Sequence, residues 1–228
     1  MGYQGGVNTD AELLAEERQM LLAGFSYTEI GNATGRRVKT VSERNRLIHK
    51  VDIWEAFKRR VERDGVPCRL NVPDSFGHWF AGFFDGEGTI TIWSRTSTRD
   101  ARYREYRLSI RIMIRDDDAH IMTRIKDNLK VGNISRHKRN GNGNPAIAWI
   151  CERVQDLAEV IIPLFDRYPL HTKKAKEYAV WKPVVMQRYV TTLAGYSNRR
   201  GIPEIERLAF HEALESVGTI RTYRPTAT

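Results

Sequence analysis

The sequence has few cysteines and no long apolar run. Only two of its 228 residues are cysteines, Cys68 and Cys151, and they lie far apart without the spacing of metal ligands. A disulfide framework and a zinc site are therefore not expected, and a reducing, intracellular setting is indicated. No apolar stretch approaches the roughly 18 residues of a membrane span, and the first residues do not resemble a secretion signal. We therefore expect a soluble, cytoplasmic protein without a membrane partner.

Negative charge is also scarce relative to positive charge. The chain contains 37 Lys and Arg residues against 28 Asp and Glu residues, which gives a formal net charge of +9. This balance favours a polyanionic partner such as nucleic acid or an acidic membrane surface. The alternative is a basic surface that contacts only water and binds no acidic partner. The length allows one core of about 150 residues and a smaller module.

Residues 11–63 have helical periodicity, with apolar residues three and four positions apart. Ser26 and Glu29 have the spacing of a capping box, so a helix is expected to begin there. Gly35 predicts a turn, after which residues 39–48 are expected to form a further helix. This part of the chain is therefore predicted to be a small all-α domain.

Two of these helices resemble a helix-turn-helix DNA-binding motif, in which a small residue lets the helices cross closely. The matching residues are Ile30, Gly31, Gly35 and Val41. Arg44 stands where the pattern usually has an apolar side chain, and Leu47 is expected to pack in its place. The side chains expected to contact bases or phosphates are Arg36, Arg37, Lys39, Thr40, Ser42, Asn45 and Arg46. The alternative is a small helical bundle that binds a partner or the main domain.

Turn-forming residues follow and indicate a linker over residues 65–73. Residues 1–64 are then the helix-turn-helix domain and residues 74–228 the main domain. The main domain begins with a stretch, residues 79–92, that reads WFAGFFDGEGTITI. Its aromatic residues have helical spacing up to the glycines, and the period changes to two from Thr89. A helix followed directly by a strand is predicted.

Residues 80–88, FAGFFDGEG, resemble the nine-residue motif of the LAGLIDADG homing endonucleases. The resemblance covers residues 76–185 and implies an α+β, αββαββα fold with a DNA-binding antiparallel sheet. It also implies that Glu87, at the eighth motif position, holds a metal ion near the scissile phosphates, with the Gly86 carbonyl as a further ligand. Mg²⁺ or Mn²⁺ is the expected cofactor, because both prefer oxygen ligands. Asp85 is expected to cap or brace the end of the helix.

The chain contains one copy of this motif and therefore supplies half of a site. A twofold homodimer would bring two motif helices together and bind a near-palindromic double-stranded target. The small residues expected at the dimer interface are Ala81, Gly82 and Gly86, which remove bulk from the helix surface.

The strands after the motif are expected to form the surface that contacts DNA. Residues 102–115 alternate between apolar and mostly basic side chains, which is typical of a strand with one buried face. The expected contacts from the two strands are Thr89, Thr91, Trp93, Arg95, Arg107, Ser109, Arg111 and Met113. A basic hairpin tip is expected to add His137, Lys138 and Arg139.

Two further positions are matched to the family for catalysis. Asp116 falls about where the family often has a polar residue that holds water, although residues 116–118 are also suited to the start of a helix. Residues 169–174 resemble a segment from which a lysine approaches the active site. Lys173 is matched to that lysine and Lys174 is the second choice, and two solvated lysines are the alternative.

The sequence thus predicts a site-specific, metal-dependent DNA endonuclease that makes a staggered double-strand break. One alternative is a non-catalytic transcriptional regulator on the same scaffold, against which the presence of Glu87 and Lys173 argues. The other is an RNA maturase, because some relatives bind intron RNA on this fold.

Overall fold

The computed structural model of the chain describes residues 10–96, 104–138, 145–193 and 204–222. These residues form two compact units. Of the described residues, the first unit contains those up to Gly65 and residues 190–193, and the second contains the others between Val66 and Tyr189 and residues 204–222. No helix within the described ranges is long and apolar enough to cross a membrane.

The first unit is helical. Its helices are α1 (Asp10–Leu22), α2 (Tyr27–Thr34), α3 (Val38–Arg44), which continues as a π-helical turn (Asn45–His49), and α4 (Ile53–Asp64). Its core consists of Leu21, Ile30, Val41, Phe57 and Val190. The apolar residues at helical spacing therefore face one another, as the periodicity predicts.

The predicted capping box and turn between α2 and α3 are confirmed. The Glu29 amide donates to Ser26 Oγ over 3.2 Å, and the Ser26 amide donates to Glu29 Oε2 over 2.7 Å. Gly35 has a φ of 67°, the left-handed conformation that ends α2. A Cβ atom on Gly31 would lie 2.8 Å from the carbonyl oxygen of Arg36, so this close approach requires glycine.

The expectation that Leu47 packs in place of Arg44 is wrong. Leu47 is 64% exposed. Arg44 instead donates to Glu17 Oε1 over 2.8 Å, and the side chain of Glu17 is fully buried. His49 lies 3.4 Å from the other oxygen of Glu17. An ion pair with α1 therefore takes the place of the apolar contact.

The second unit has the predicted order of helices and strands. Its elements are α5 (Asp74–Glu87), β1 (Gly88–Thr96), β2 (Arg104–Arg115), α6 (Ala119–Leu129), β3 (Asn133–His137), β4 (Ala146–Cys151), α7 (Val154–Asp156), α8 (Ile162–Arg167), α9 (Lys173–Leu193), whose residues from 190 onwards belong to the first unit, and α10 (Glu204–Arg221). A π-helical turn (Leu157–Ile161) joins α7 to α8. The four strands form an antiparallel sheet in the order β1-β2-β4-β3. The α+β fold expected from the motif is confirmed.

Aromatic side chains of α5 pack in the core of the second unit. Phe80 and Phe84 are fully buried, and each stacks or tilts against Phe165 at ring-centroid distances of 6.1 and 5.0 Å. Phe80 also meets the buried ring of Trp149 edge-on. The helix is thereby fixed against the sheet and α8.

The N-terminus of α5 is held by a charged and hydrogen-bonded cluster. Asp74 Oδ1 accepts from the Tyr168 hydroxyl over 2.5 Å and from Arg167 Nη2 over 2.7 Å. The hydrogen bond from Tyr168 and the charge of Arg167 hold the pKa of the Asp74 carboxyl below its ordinary value. A Cβ atom on Gly77 would overlap the Tyr168 ring, so glycine allows this ring to approach. Both ends of α5 are consequently fixed, since β1 follows it without a loop.

Candidate active site and nucleic-acid interface

Glu87 is the last residue of α5, and its side chain is exposed. Gly88 begins β1 and pairs with Ile112 of β2. A Cβ atom on Gly88 would lie 2.4 Å from the Phe84 ring, so glycine is needed for the direct passage from helix to strand. The carboxylate of Glu87 therefore lies at one end of the sheet, on a short and rigid junction.

Of the two candidate lysines, the structure brings Lys174 to this junction. Its Nζ donates to the carbonyl oxygen of Asp85 over 2.5 Å and lies 3.4 Å from that of Gly86. Lys173 is the first residue of α9 and is exposed. Lys174 thus places a positive charge at the C-terminus of α5, which the helix dipole favours, one residue from Glu87.

Asp85 holds the segment that leads into α9. Its Oδ2 accepts from the His171 amide over 2.7 Å, and its Oδ1 accepts from the Thr172 hydroxyl over 2.8 Å and from the Thr172 amide at 3.4 Å. Both carboxylate oxygens are therefore hydrogen-bonded. Asp85 positions the segment that leads into α9, which carries Lys174, and Glu87 remains the exposed acid of the motif.

Asp116 follows the end of β2, at the same end of the sheet as the junction of α5 and β1. It follows Arg115, which is three residues beyond Ile112 in β2, or about 10 Å along the strand. Its Oδ1 accepts from Arg136 Nε over 2.9 Å. The acidic run forms a 3-10 turn before α6, and no side chain in it caps that helix by a hydrogen bond. Asp116 is therefore part of an ion pair at the end of the sheet.

The predicted alternation in β1 and β2 is confirmed by the register of the sheet. Residues directly opposite one another share a face. The pairs on the outer face are Thr89 with Arg111, Thr91 with Ser109 and Trp93 with Arg107. Thr89, Trp93 and Arg107 are exposed, whereas Ile90, Ile110 and Ile112 on the other face are fully buried. Arg95 of β1 pairs with Glu105 of β2, and Arg139 lies outside the described residues.

Two polar residues of this face are not among the contacts predicted from the sequence. Asn133 of β3 pairs with Ile150, which is opposite Arg111, and Ser135 pairs with Ala148, which is opposite Met113. The alternation of Asn133, Ser135 and His137 could have indicated them. Lys138 follows them and is exposed. The outer face of the sheet, defined here by Thr89, Thr91, Trp93, Arg107, Ser109, Arg111, Met113, Asn133, Ser135 and His137, is thus polar and basic.

Arg111 has an unsatisfied donor on this face. Among the residues that the structure describes, its Nε is buried without a hydrogen-bond partner, and its Nη2 donates to the sulfur of Met113, a weak acceptor, at 3.6 Å. A buried donor without a partner costs about 1–3 kcal/mol. An oxygen ligand on the outer face would remove that cost.

Of the three small residues predicted at a dimer interface, two are open. Gly82 and Gly86 are exposed, and a Cβ atom on either would meet nothing within 4 Å. They are four residues apart and share one side of α5. The prediction for Ala81 is wrong, because this residue is only 5% exposed and packs inside the chain. The physical reason is that adjacent helical residues point about 100° apart.

The predicted contact residues of the first unit differ in exposure. Arg37, Lys39 and Arg46 are exposed, whereas Arg36, Thr40 and Ser42 are half-buried. The prediction for Asn45 is wrong. Its side-chain amide donates to the Tyr27 hydroxyl and the Val51 carbonyl, and its Oδ1 accepts from the Val51 amide. The residue is 6% exposed because the π-helical turn directs it inward.

Similar proteins are known for about half of the chain. Residues 80–185 match the family model described as LAGLIDADG endonuclease. Probable intron-encoded endonuclease 3 of Neurospora crassa is 25% identical over 121 residues, which are 53% of this chain and 21% of that protein. Probable intron-encoded endonuclease Cox1-I1b of Schizosaccharomyces pombe is 25% identical over 131 residues, 58% of this chain and 32% of that protein. The chain thus spans about a fifth to a third of the length of these relatives.

Solved structures of meganucleases also resemble it. Meganuclease I-SmaMI bound to uncleavable DNA is 19% identical, with a TM-score of 0.46, over 67% of this chain and 45% of that chain. The LAGLIDADG meganuclease I-CpaMI bound to uncleaved DNA is 23% identical, with a TM-score of 0.44, over 67% of this chain and 52% of that chain. I-SmaMI has also been solved with its uncleaved target in the presence of calcium ions.

Proposed function

We propose that this chain, which carries a LAGLIDADG endonuclease domain over residues 80–185, is a metal-dependent, site-specific endonuclease that cuts both strands of DNA as a homodimer. The observation that carries the proposal is the junction of α5 and β1. There Lys174 contacts the backbone carbonyls of the two residues that precede the exposed Glu87, at the edge of the polar, basic outer face of the sheet.

The residues at this junction fit a divalent metal ion. The Glu87 carboxylate and the backbone carbonyl of Gly86 are oxygen donors, which Mg²⁺ and Mn²⁺ prefer. Within the described residues, no group of three or more His, Cys, Asp and Glu side chains converges. One carboxylate in each chain is sufficient where phosphate oxygens and water complete the coordination. A bound ion would polarise the phosphate and lower the pKa of water.

The side chains of the junction have separate roles in this proposal. The carboxylate of Glu87 provides oxygen ligands from a fixed backbone position, because α5 and β1 are joined without a loop. Lys174 stabilises negative charge that develops on the phosphate in the transition state, and Asp85 positions the segment that carries it. Arg111 gains an acceptor for its buried Nε when a phosphate oxygen approaches the outer face.

The homodimer is proposed from the open side of α5. Gly82 and Gly86 leave room for a second copy of the helix, and a twofold axis there would bring two Glu87 side chains together. The two outer faces would then contact a near-palindromic duplex, and the two cuts would be staggered across the minor groove. This assembly accounts for a chain that contains one motif.

The first unit is proposed to bind DNA beside the target as a helix-turn-helix. The close crossing at Gly31 and the exposed Arg37, Lys39 and Arg46 support this role. Tethering a second DNA-binding module raises the effective concentration of the first at the target and lengthens the sequence that is read.

A plasmid library with randomised near-palindromic inserts tests the function. We expect a small set of inserts to be cut in the presence of Mg²⁺ and none in EDTA, and sequencing of the ends is expected to show one constant stagger. Tight binding of a selected duplex without nicking would support a transcriptional regulator instead. Tighter binding of structured intron RNA than of any duplex would support a maturase.

A further inference from the structure

A cavity of about 610 Å³ lies at the end of the sheet away from Glu87. β4 ends at Cys151, which pairs with Ile110, so the first part of β2 extends beyond β4. Residues 106–108 therefore border an opening, which the turn after α6 and the segment after β4 complete. The cavity is a consequence of the unequal lengths of these two neighbouring strands.

The cavity is rich in positive charge. Five of its side chains are cationic, namely Arg107, Lys126, Lys130, Arg153 and Arg188. Its two acids are Glu152 and Asp156, and Asp156 already accepts from Arg69 over 2.6 Å. Arg153 is hydrogen-bonded to the neutral Gln155, and Lys130 is exposed at the end of α6. Positive charge therefore exceeds negative charge in the cavity, which favours an anion.

The cavity is continuous with the outer face of the sheet. Arg107, Asn133 and Ile150 line it, and the same three residues lie on the outer-face side of their strands. Arg107 is five residues before Ile112, the partner of Gly88, which corresponds to about 17 Å along β2. Consider a duplex that runs along β2 on the outer face with its scissile phosphate near Glu87. At a rise of 3.4 Å per base pair, a phosphate about five base pairs away would lie beside Arg107.

We propose that this cavity binds a phosphate of the DNA backbone outside the cleaved region, and that it contributes to affinity without reading sequence. The inference rests on the proposed function, since it takes the outer face to be the DNA-binding surface. Lys130 and Arg153 supply contacts that no sequence motif indicates. Contacts of this kind fix the register of the protein on the duplex and add salt-dependent affinity.

The test is the salt dependence of binding to a labelled 40-base-pair duplex of arbitrary sequence, measured by fluorescence anisotropy without metal. The variants are Lys130→Gln, Arg153→Gln and the double variant. The matched control is Lys176→Gln, which removes one exposed charge from α9 outside the cavity. Circular dichroism and thermal unfolding establish that all variants fold.

The double variant is expected to reduce the slope of log K against log salt by about 0.9, the contribution of one phosphate, and each single variant by a part of that. Affinity near 150 mM salt should fall about fivefold for the double variant, which is the fold-change that this slope implies, and less for each single variant. Lys176→Gln should leave the slope unchanged. Equal slopes for wild type, cavity variants and control would overturn the inference.

Calorimetry with a deoxynucleoside monophosphate distinguishes the source of the phosphate. If the cavity were a site for a free nucleotide, wild type would bind the monophosphate and Lys130→Gln would not. The slopes of log K against log salt for duplex binding would then be equal in wild type and the cavity variants. That result also overturns the inference. The failure of the proposed function is separate, because wild type would then bind this duplex yet cut no member of the plasmid library.

Discussion

Lys174 and Asp85 are joined by a hydrogen bond of 2.5 Å from the lysine Nζ to the backbone carbonyl oxygen of the aspartate. The carboxylate of the same aspartate accepts from the main chain of His171 and from Thr172, just before α9. In the first contact a side chain of α9 reaches the main chain of α5, and in the second a side chain of α5 reaches the residues before α9. The end of the motif helix and the lysine are thereby fixed relative to each other.

The first prediction concerns this lysine. Lys174→Met should reduce the rate of plasmid cleavage at least about 100-fold, because it removes a charge that stabilises the transition state. Binding of uncut target should change much less. Lys173→Met should lose far less activity, since that side chain is exposed and the structure does not bring it to the junction. Single-turnover cleavage rates decide between the two lysines. A larger loss for Lys173→Met would show that Lys173, as matched from the sequence, is the lysine that acts in the reaction.

The second prediction concerns the acid. Glu87→Gln keeps the size of the side chain but removes the charge that a divalent ion requires, so cleavage should fall below detection. Wild type in EDTA should behave in the same way. Filter binding of the target in calcium should differ little between the variant and wild type. A variant that cuts at the normal rate would exclude Glu87 from the reaction.

Much of this fold could be predicted from the sequence, because strand alternation and helix capping depend on residues close together in the chain. The period of two in β1 and β2 predicted which residues share the outer face, and the register confirms it. The spacing of Ser26 and Glu29 predicted the start of α2. Each of these features depends on residues within a few positions of each other.

The errors concern relations between elements distant in sequence. Whether Lys173 or Lys174 reaches α5 depends on the rotation of α9 about its axis, and adjacent residues differ by about 100°. The same rotation separates the buried Ala81 from the exposed Gly82. The pairing of Arg44 with Glu17 joins residues 27 positions apart, and no periodic pattern indicates it.

The third prediction concerns Asp85 as a positioning residue. Asp85→Ala removes the acceptors for the amides and the hydroxyl before α9, which resembles the loss of a helix cap and should cost about 1–2 kcal/mol. Cleavage should also fall, since Lys174 is carried by that segment. Asp85→Asn retains one carbonyl acceptor and should recover part of both losses. Urea unfolding and cleavage rates are the two measurements, and an Asp85→Ala variant with wild-type values for both would contradict the role.

The fourth prediction concerns the buried Glu17 in the first unit. Arg44→Met leaves this fully buried carboxylate without its arginine partner, with the His49 ring as a remaining neighbour, and should cost about 3–5 kcal/mol of unfolding free energy. Replacing both Arg44 and Glu17 by leucine should recover most of that loss, because no unpaired charge is then buried. The control is Lys39→Met, which removes an exposed pair with Glu43 and should cost less than about 1 kcal/mol. Urea denaturation checks all three, and a double variant as unstable as Arg44→Met would refute the explanation.

The fifth prediction tests the dimer through the open side of α5. Gly82→Leu adds a side chain that meets nothing within 4 Å in its own chain, so the folded monomer should be at least as stable as wild type. A second copy of α5 could no longer approach, and sedimentation with target DNA should show one bound chain where wild type shows two. The matched control is Gly218→Leu in α10, where a Cβ atom also meets nothing within 4 Å and no partner is proposed. Double-strand cleavage should be lost in Gly82→Leu and kept in Gly218→Leu. A Gly82→Leu variant that still binds as two chains and cuts both strands would show that the half-sites meet through another surface.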